Sequence, residues 1–235
     1  MTRRRWIADE VVDDRAALTG AHAAHLSRTL RVKVGQDFEI ACGETVRMGT
    51  VTSVLDDRVE FQLGVEVPAA SQVPITFLLA IFKFDRMEWA IEKCTELGVT
   101  TIVPVIARRT EKHLAQAAEK RVERWQRIAR EASEQSRRAV APRIGDPVKL
   151  VDALRTEADL RIVLAETERE GQLSDCLGSH PESVALAIGP EGGWTAEELR
   201  LFENSGWVSA SLGLTILRAE TAAIAALAIT RAVLS

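Results

Sequence analysis

Val184-Ala185-Leu186-Ala187-Ile188 runs without a break into Gly189-Pro190-Glu191-Gly192-Gly193-Trp194. Five apolar residues in succession describe a strand covered on both faces. The glycines that follow leave the strand's end bare of side chains. A second corner of this kind stands at Ser211-Leu212-Gly213, and Ile216-Leu217-Arg218-Ala219-Glu220-Thr221 then opens an apolar C-terminal helix. Two hydrophobic strands ending in glycine bring exposed peptide groups to one edge of a sheet, where they can grip a flat polar ligand. The pattern points to a small-molecule site.

Outward from this stretch the chain alternates strand and helix. Residues 75–82 form a continuous apolar run, and Met87, Ala90, Ile91, Cys94 and Leu97 repeat at helical spacing before Gly98. The spacing predicts a helix that stops at that glycine. Residues 101–106, 161–165, 184–188 and 207–212 read as further strands, with a helix from Thr195 between the last two. A long helix is expected from about Glu119 to Arg138, burying Val122, Trp125, Ile128, Ala129 and Ala132. The succession describes a mostly parallel α/β sheet with helices on both faces. Upstream, residues 67–74 place two prolines around small polar residues and read as a linker. Before it, Val32, Val34, Phe38 and Ile40, then Val46, Met48, Val51 and Val54, then Val59, Phe61, Leu63 and Val65 alternate in short runs. Such runs predict a small β-barrel over residues 1–70, followed by an α/β domain over 74–235.

Composition bounds the function. The 235 residues are 46% hydrophobic and 27% charged, as in an ordinary globular protein rather than a disordered one. Cys42, Cys94 and Cys176 are far apart, and with His22, His25, His113 and His180 they offer no zinc-ligand spacing. Reduced thiols, no metal and a cytoplasmic setting are therefore expected. Arg3-Arg4-Arg5 leads into Trp6-Ile7-Ala8 and acids, so no secretory leader is read there. The apolar stretch 219–234 falls short of a bilayer span and carries Glu220 and Arg231.

Net charge is −4, but its distribution is uneven. Residues 22–33 carry His22, His25, Arg28, Arg31 and Lys33 and no acid, and Arg3, Arg4 and Arg5 precede them. This patch suggests contact with RNA phosphates, with Trp6 available for base stacking. The long helix adds Lys120, Arg121, Arg124, Arg127, Arg130, Arg137 and Arg138. Its interspersed glutamates also suit a solvated face laced with i,i+4 pairs. Neither a GxGxxG fingerprint, a phosphate loop nor a GxSxG elbow occurs, which argues against the commonest nucleotide enzymes and serine hydrolases.

The chain resembles the SPOUT-class methyltransferases that modify N3 of a uridine in small-subunit (16S) ribosomal RNA, the RsmE family. The resemblance spans nearly the whole chain. It rests on Arg4-Arg5-Trp6, on His25-Leu26-Ser27-Arg28-Thr29-Leu30-Arg31-Val32 with Gly35, and on Lys83. Residues 92–99, Pro104, residues 131–136 with Arg138 and Pro142 continue it. Its most specific parts are residues 188–193 and Leu212-Gly213 with 216–222. Ala41-Cys42-Gly43-Glu44 is less acidic and less glycine-rich than the family pattern, and Thr215 stands where relatives often carry a base.

The resemblance implies an N-terminal PUA-like barrel, a C-terminal domain with a deep trefoil knot that holds S-adenosylmethionine (SAM), and a homodimer. It also implies three loops around SAM: Leu164-Ala165, Ile188-Gly189-Pro190-Glu191-Gly192-Gly193, and Leu212-Gly213 with Leu217, Arg218, Ala219, Thr221 and Ala222. Expected RNA contacts are Arg4, Arg5, His25, Arg28, Arg31, Lys33 and Arg138, toward rRNA or an assembled small subunit. Methylating N3 requires loss of an imide proton, so a base and a cation aimed at the flanking carbonyls are the expected equipment. Arg218 is the candidate cation, for that charge or for the target phosphate, and Glu220 or Glu191 is the candidate base or the group that orients Arg218. Glu220 also suits a helix first turn, and Glu191 a turn cap. A ribose 2′-O-methyltransferase of the same class and a non-catalytic RNA-binding factor are the alternatives.

Overall fold

The computed structural model describes residues 5–43, 45–68, 72–168, 171–178 and 181–234. The chain divides into two compact units, Met1–Ser71 with Arg130–Ala141, and Gln72–Ala129 with Pro142–Ser235. Sequence alone places everything beyond the proline-bracketed linker in the second unit, whereas segment 130–141 clusters with the first.

The first unit contains strands β1 (Trp6–Ile7), β2 (Glu10–Val12) and β3 (Arg15–Thr19), helix α1 (Gly20–Ala24) widening into a π-turn at His25–Thr29, and strands β4 (Asp37–Cys42), β5 (Thr45–Val54) and β6 (Arg58–Val67). The sheet order is β1-β4-β5-β6-β3-β2. Its two ends lie close, because consecutive residues bridge them: the Ala8 amide donates to Ala41 and the Asp9 amide to Ala17, both at 3.0 Å. Trp6, Leu18, Leu26, Ile40, Val59 and Phe61 fill the interior.

Two expectations fail here. Trp6 is only 1% exposed, with the rings of His22 and His25 at 6.2 and 5.9 Å. Its large apolar ring is worth more as core than as a stacking platform, which needs an open face. Val32 and Val34 precede the strand rather than belong to it. Arg31 turns the backbone to φ 49°, and the Val32 amide closes the helical segment on Leu26 O at 3.1 Å. Val32 is therefore buried while Val34 stays 65% exposed.

The second unit is built on strands β7 (Ile75–Ala80), β8 (Thr101–Ile106), β9 (Arg143–Ile144), β10 (Val148–Lys149), β11 (Leu160–Leu164), β12 (Val184–Ile188) and β13 (Val208–Ala210). All pair in parallel, in the order β10-β8-β7-β12-β11-β13, with β9 also on β8. Helices α2 (Phe84–Glu96), α3 (Lys112–Ala117), α4 (Val122–Gln135, counted with the first unit from Arg130 on), α5 (Leu150–Ala153), α6 (Leu173–Cys176), α7 (Ala196–Asn204) and α8 (Ala219–Val233) connect them. Side chains alternate along each strand, so both faces need cover. Ile75, Phe77 and Leu79 of β7, with Val184, Leu186 and Ile188 of β12, join α2, α4 and α8 in one core. Leu78, Ala80, Ala185 and Ala187 face the other way, toward α5 and the aromatic group Trp194, Phe202 and Trp207. The alanines on that face make room for the three large rings. Cys94 is fully buried in the first of these cores, and desolvation pushes its thiol far above the ordinary range.

The helix ends follow local chemistry. Gly98, at φ 96°, ends α2. The Val99 amide reaches Cys94 O, and the Gly98 amide reaches Thr95 O, both at 3.0 Å. The helix expected over 119–138 is interrupted: a 3-10 turn at Glu119–Arg121 precedes α4. Helix α4 stops early, where Arg137 takes φ 61° and the Arg138 amide bonds Ser133 O at 2.9 Å. The stripe Val122, Trp125, Ala129 and Ala132 is buried as expected. The last strand is three residues long instead of six, since Leu212 and Gly213 leave the sheet. Helix α8 begins only at Ala219, with Arg218 as its extended N-cap.

Candidate active site

Loops after β8, β11, β12 and β13 gather at the carboxyl edge of the sheet, where strand order reverses and ligands commonly bind. They enclose a cavity of about 530 Å³, within the usual size range for small-molecule sites. Of the expected cofactor residues, Leu164, Ala165, Ile188, Gly189, Pro190, Gly192, Gly193, Leu212, Gly213, Leu217, Ala219 and Ala222 line it. Glu191, Arg218 and Thr221 are exposed, and among the described residues they are not part of the lining.

The cavity's shape follows from two corners. Gly193 adopts φ 68°, and its amide closes a turn on Pro190 O at 2.8 Å. A Cβ at this position would lie 3.7 Å from the Glu166 carboxylate. Gly213 adopts φ 119°. The Ser211 hydroxyl braces that corner, accepting from the Gly213 amide and donating to the Gly213 carbonyl, each at 3.1 Å. Behind the first corner, Trp194 is buried edge-on against Phe202 at 5.0 Å.

Helix α7 is set by a capping box. The Thr195 hydroxyl accepts from the Glu198 amide at 3.2 Å, and the Glu198 carboxylate accepts from the Thr195 amide at 2.8 Å. The other oxygen of Glu198 accepts from the Arg108 amide at 2.7 Å. One buried carboxylate thus ties the loop after β8 to the loop after β12. Glu198→Ala is expected to lower stability by about 1–3 kcal/mol, because two amides lose a charged acceptor. Thermal unfolding checks this, and a midpoint within a degree of the parent would disprove it.

Several lining residues were not anticipated from sequence: Arg109, Glu166, Thr167, Glu168, Trp194, Ser211 and residues 214–216. They stand beside the expected loops or, for Arg109, in the turn after β8, where no local signal marks them. Leu214 and Ile216 are 93% and 79% exposed, although the segment reads as the start of a buried helix.

Glu220 is 5% exposed and pairs with the Arg86 guanidinium on α2 at 3.8 Å. Its second oxygen is buried with no hydrogen-bond partner among the described residues. Ala219 and Ala222 carry the cavity face of α8, which turns Glu220 aside.

Residues 22–33 lack acids locally, but the fold of the first unit supplies them. Arg28 pairs with Asp56 at 3.0 Å, both well exposed, and His22 faces Glu134 at 3.6 Å. Arg5 pairs with Glu39 at 2.8 Å and also donates to Arg137 O. His25 and Arg138 are half-buried, Arg31 and Lys33 are exposed, and Arg4 lies outside the described residues. On the long helix the basic residues pair as much between helices as along one. Arg124 holds Glu88 of α2 at 2.7 Å, and Arg130 reaches Glu134 at i,i+4 and 3.5 Å. Among the described residues no cluster of three metal-ligating side chains occurs. Among the described residues no helix is long and apolar enough to cross a membrane either.

A parallel sheet with a glycine-cornered cavity at its carboxyl edge defines a class of small-molecule-binding α/β enzymes, and comparison with known proteins narrows it. The RNA methyltransferase domain family matches residues 69–231. The ribosomal RNA small subunit methyltransferase E of Bacillus subtilis is 34% identical over 90% of this chain and 87% of its own. That of Synechocystis is 32% identical over 94% of this chain and 74% of its own. The crystal structure of the Neisseria gonorrhoeae enzyme of that name, bound to S-adenosyl methionine, superposes with a TM-score of 0.85 at 30% identity, covering 96% of this chain and 95% of that one. A putative methyltransferase of Legionella pneumophila in complex with SAM gives a TM-score of 0.87 at 28% identity, over 99% and 98%. The chain belongs to the ribosomal RNA small subunit methyltransferase E family.

Proposed function

We propose that this chain is a SAM-dependent methyltransferase that modifies N3 of a uridine in small-subunit ribosomal RNA, with SAM held in the cavity at the carboxyl edge of the sheet. The observation that carries the reading is that cavity, walled by peptide groups at two glycine corners in a chain of this family. Its residues suit the donor. Gly193 leaves space that a Cβ would fill, so a flat adenine can approach the backbone. A Cβ on Gly189, by contrast, would lie 3.3 Å from Trp194 and 3.4 Å from the Gly193 backbone, so that glycine lets the corner fold onto its own ring. Bound SAM supplies a methyl group already activated by its sulfonium, with the leaving pair going to sulfur.

The rest falls to the protein. Leu164, Ala165, Ile188, Gly189, Pro190, Gly192, Gly193, Leu212, Gly213, Leu217, Ala219 and Ala222 hold the donor, and the buried rings of Trp194 and Phe202 keep the first corner rigid. Glu220, ion-paired to Arg86 and turned from the lining, fixes the start of α8. Arg218 and Glu191 sit exposed, where the RNA enters. Arg5, His25, Arg28, Arg31, Lys33 and Arg138, with Arg4, supply phosphate contacts, and exposed Arg28, Arg31 and Lys33 suit this best.

Residues 1–70 act as a PUA-like RNA-binding barrel, a reading supported by the sheet whose two ends are bridged at Ala8 and Asp9. Residues 74–235 form a knotted SPOUT domain, supported by the three loops that crowd one cavity. Two copies assemble as a homodimer in the cytoplasm, where ribosomal subunits are made; the apolar, alanine-rich face of α8 suits close packing of helices.

The test is to incubate the protein with SAM and small subunits lacking the modification, then map the product by mass spectrometry. One N3-methyluridine is expected. Methylation on a ribose, or no product and no calorimetric heat with SAM, would sink the proposal.

A further inference from the structure

The expected cation of the reaction, Arg218, stands exposed at the N-cap of α8, off the cavity lining. Among the described residues the lining carries one arginine or lysine, Arg109, together with the acids Glu166 and Glu168. We infer that Arg109 is the catalytic cation that stabilises the charge developing on the target base. The inference rests on the proposed N3 chemistry and deepens it.

The mount of Arg109 is unusually well fixed for an exposed residue. It sits in the turn 107–110, just past the carboxyl end of β8. The Ala107 amide donates to the Thr110 hydroxyl at 3.2 Å, and that hydroxyl donates to Ile81 O at 3.1 Å. The Thr110 amide closes the turn on Ala107 O at 3.1 Å. The Arg108 amide is anchored to Glu198 of the capping box at 2.7 Å. Two bonds inside the turn and two that leave it, to Ile81 after β7 and to Glu198 of α7, hold this short loop in place. From this base the Arg109 side chain crosses the end of β7 to the first glycine corner. Its guanidinium donates to Gly192 O, and its Cδ lies 3.1 Å from where a Cβ on Gly192 would stand. Gly192 thus gives the arginine its passage to the cavity. A donor fixed in place on a cavity wall stabilises developing charge with little reorganisation, which is what separates such a group from a mobile surface arginine.

The chemistry calls for such a group. When N3 gives up its proton to solvent, the electron pair left behind is shared with the two flanking carbonyl oxygens. That pair forms the new bond to carbon, the pair of the broken carbon–sulfur bond stays on sulfur, and the base ends neutral. Only the intervening anion needs a cation, so Arg109 acts on the rate and not on donor affinity. A guanidinium, planar and always charged, suits a carbonyl oxygen better than an ammonium does.

The test compares Arg109→Gln and Arg109→Lys with the parent, using SAM titration calorimetry and single-turnover methylation of unmodified small subunits across pH. For Arg109→Gln, SAM affinity is expected to stay within about threefold while the rate falls about 100-fold or more. The deficit should shrink as pH rises and the free base loses its proton unaided. Arg109→Lys, which keeps the charge but not the fork, should recover about a tenth of the parent rate. An unchanged rate would overturn the inference. So would a rate and SAM affinity that fall together with a pH profile parallel to the parent's, since the arginine would then only shape the Gly192 turn. A parent product methylated elsewhere than N3 would instead refute the underlying proposal, and it is visible in the parent alone.

Discussion

Gly193→Val is expected to weaken SAM binding by about 100-fold or more while leaving the chain folded. The backbone at this corner stands at φ 68°, where an L-residue costs about 1–2 kcal/mol and a β-branched one more. That strain alone is worth about tenfold in affinity if the bound shape must be kept. The new methyls add a second cost, since the Cβ position lies 3.7 Å from the Glu166 carboxylate and faces the cavity. Relaxing φ offers no escape. It breaks the bond from the Gly193 amide to Pro190 O at 2.8 Å and displaces Pro190 and Gly192, which also line the site. Calorimetric titration reads the affinity, and thermal unfolding should show a fall of only a few degrees. Parent-like affinity would mean that the corner is a turn and nothing more.

Trp125→Ala is expected to cost about 3–5 kcal/mol of stability, lowering the thermal midpoint by roughly 10 °C. The ring is fully buried on α4, in the core shared with the sheet and α8, and meets Phe84 edge-on at 6.0 Å. Alanine leaves a void that close-packed neighbours cannot fill. Trp125→Phe should cost much less. It keeps most of the ring, and the indole N–H it removes has no hydrogen-bond partner among the described residues. Denaturant midpoints separate the two variants; equal losses would show that packing volume is not what this residue provides.

Much of the second unit is legible in its sequence. The runs at 75–80, 101–106 and 184–188 are strands because short, nearly continuous apolar runs suit a sheet covered on both faces. The stop of α2 at Gly98 and the start of α7 at Thr195 are local chemistry, readable within four residues. The two glycine corners are legible for the same reason. What misled was pattern without context. Val32 and Val34 alternate like a strand, yet a helix end at Arg31 takes them out of register. Trp6 beside basic residues resembles a stacking platform, yet a small core of few large side chains claims its ring. The absence of acids between residues 22 and 33 holds only along the chain, because Asp56 and Glu134 arrive from elsewhere.

The primary structure by itself determined the alternation of elements, the parallel sheet, the glycine corners and, through its motifs, the family. Each depends on residue periodicity or on backbone freedom at one position, and both are properties of neighbours along the chain. Only the tertiary structure decided which charged groups reach the cavity. It put Arg109 on the wall, 83 residues from Gly192, turned Glu220 onto Arg86, and left Arg218 and Glu191 in solvent. A charge acts through distance in space, and distances between remote residues exist only once the strands that carry them lie side by side.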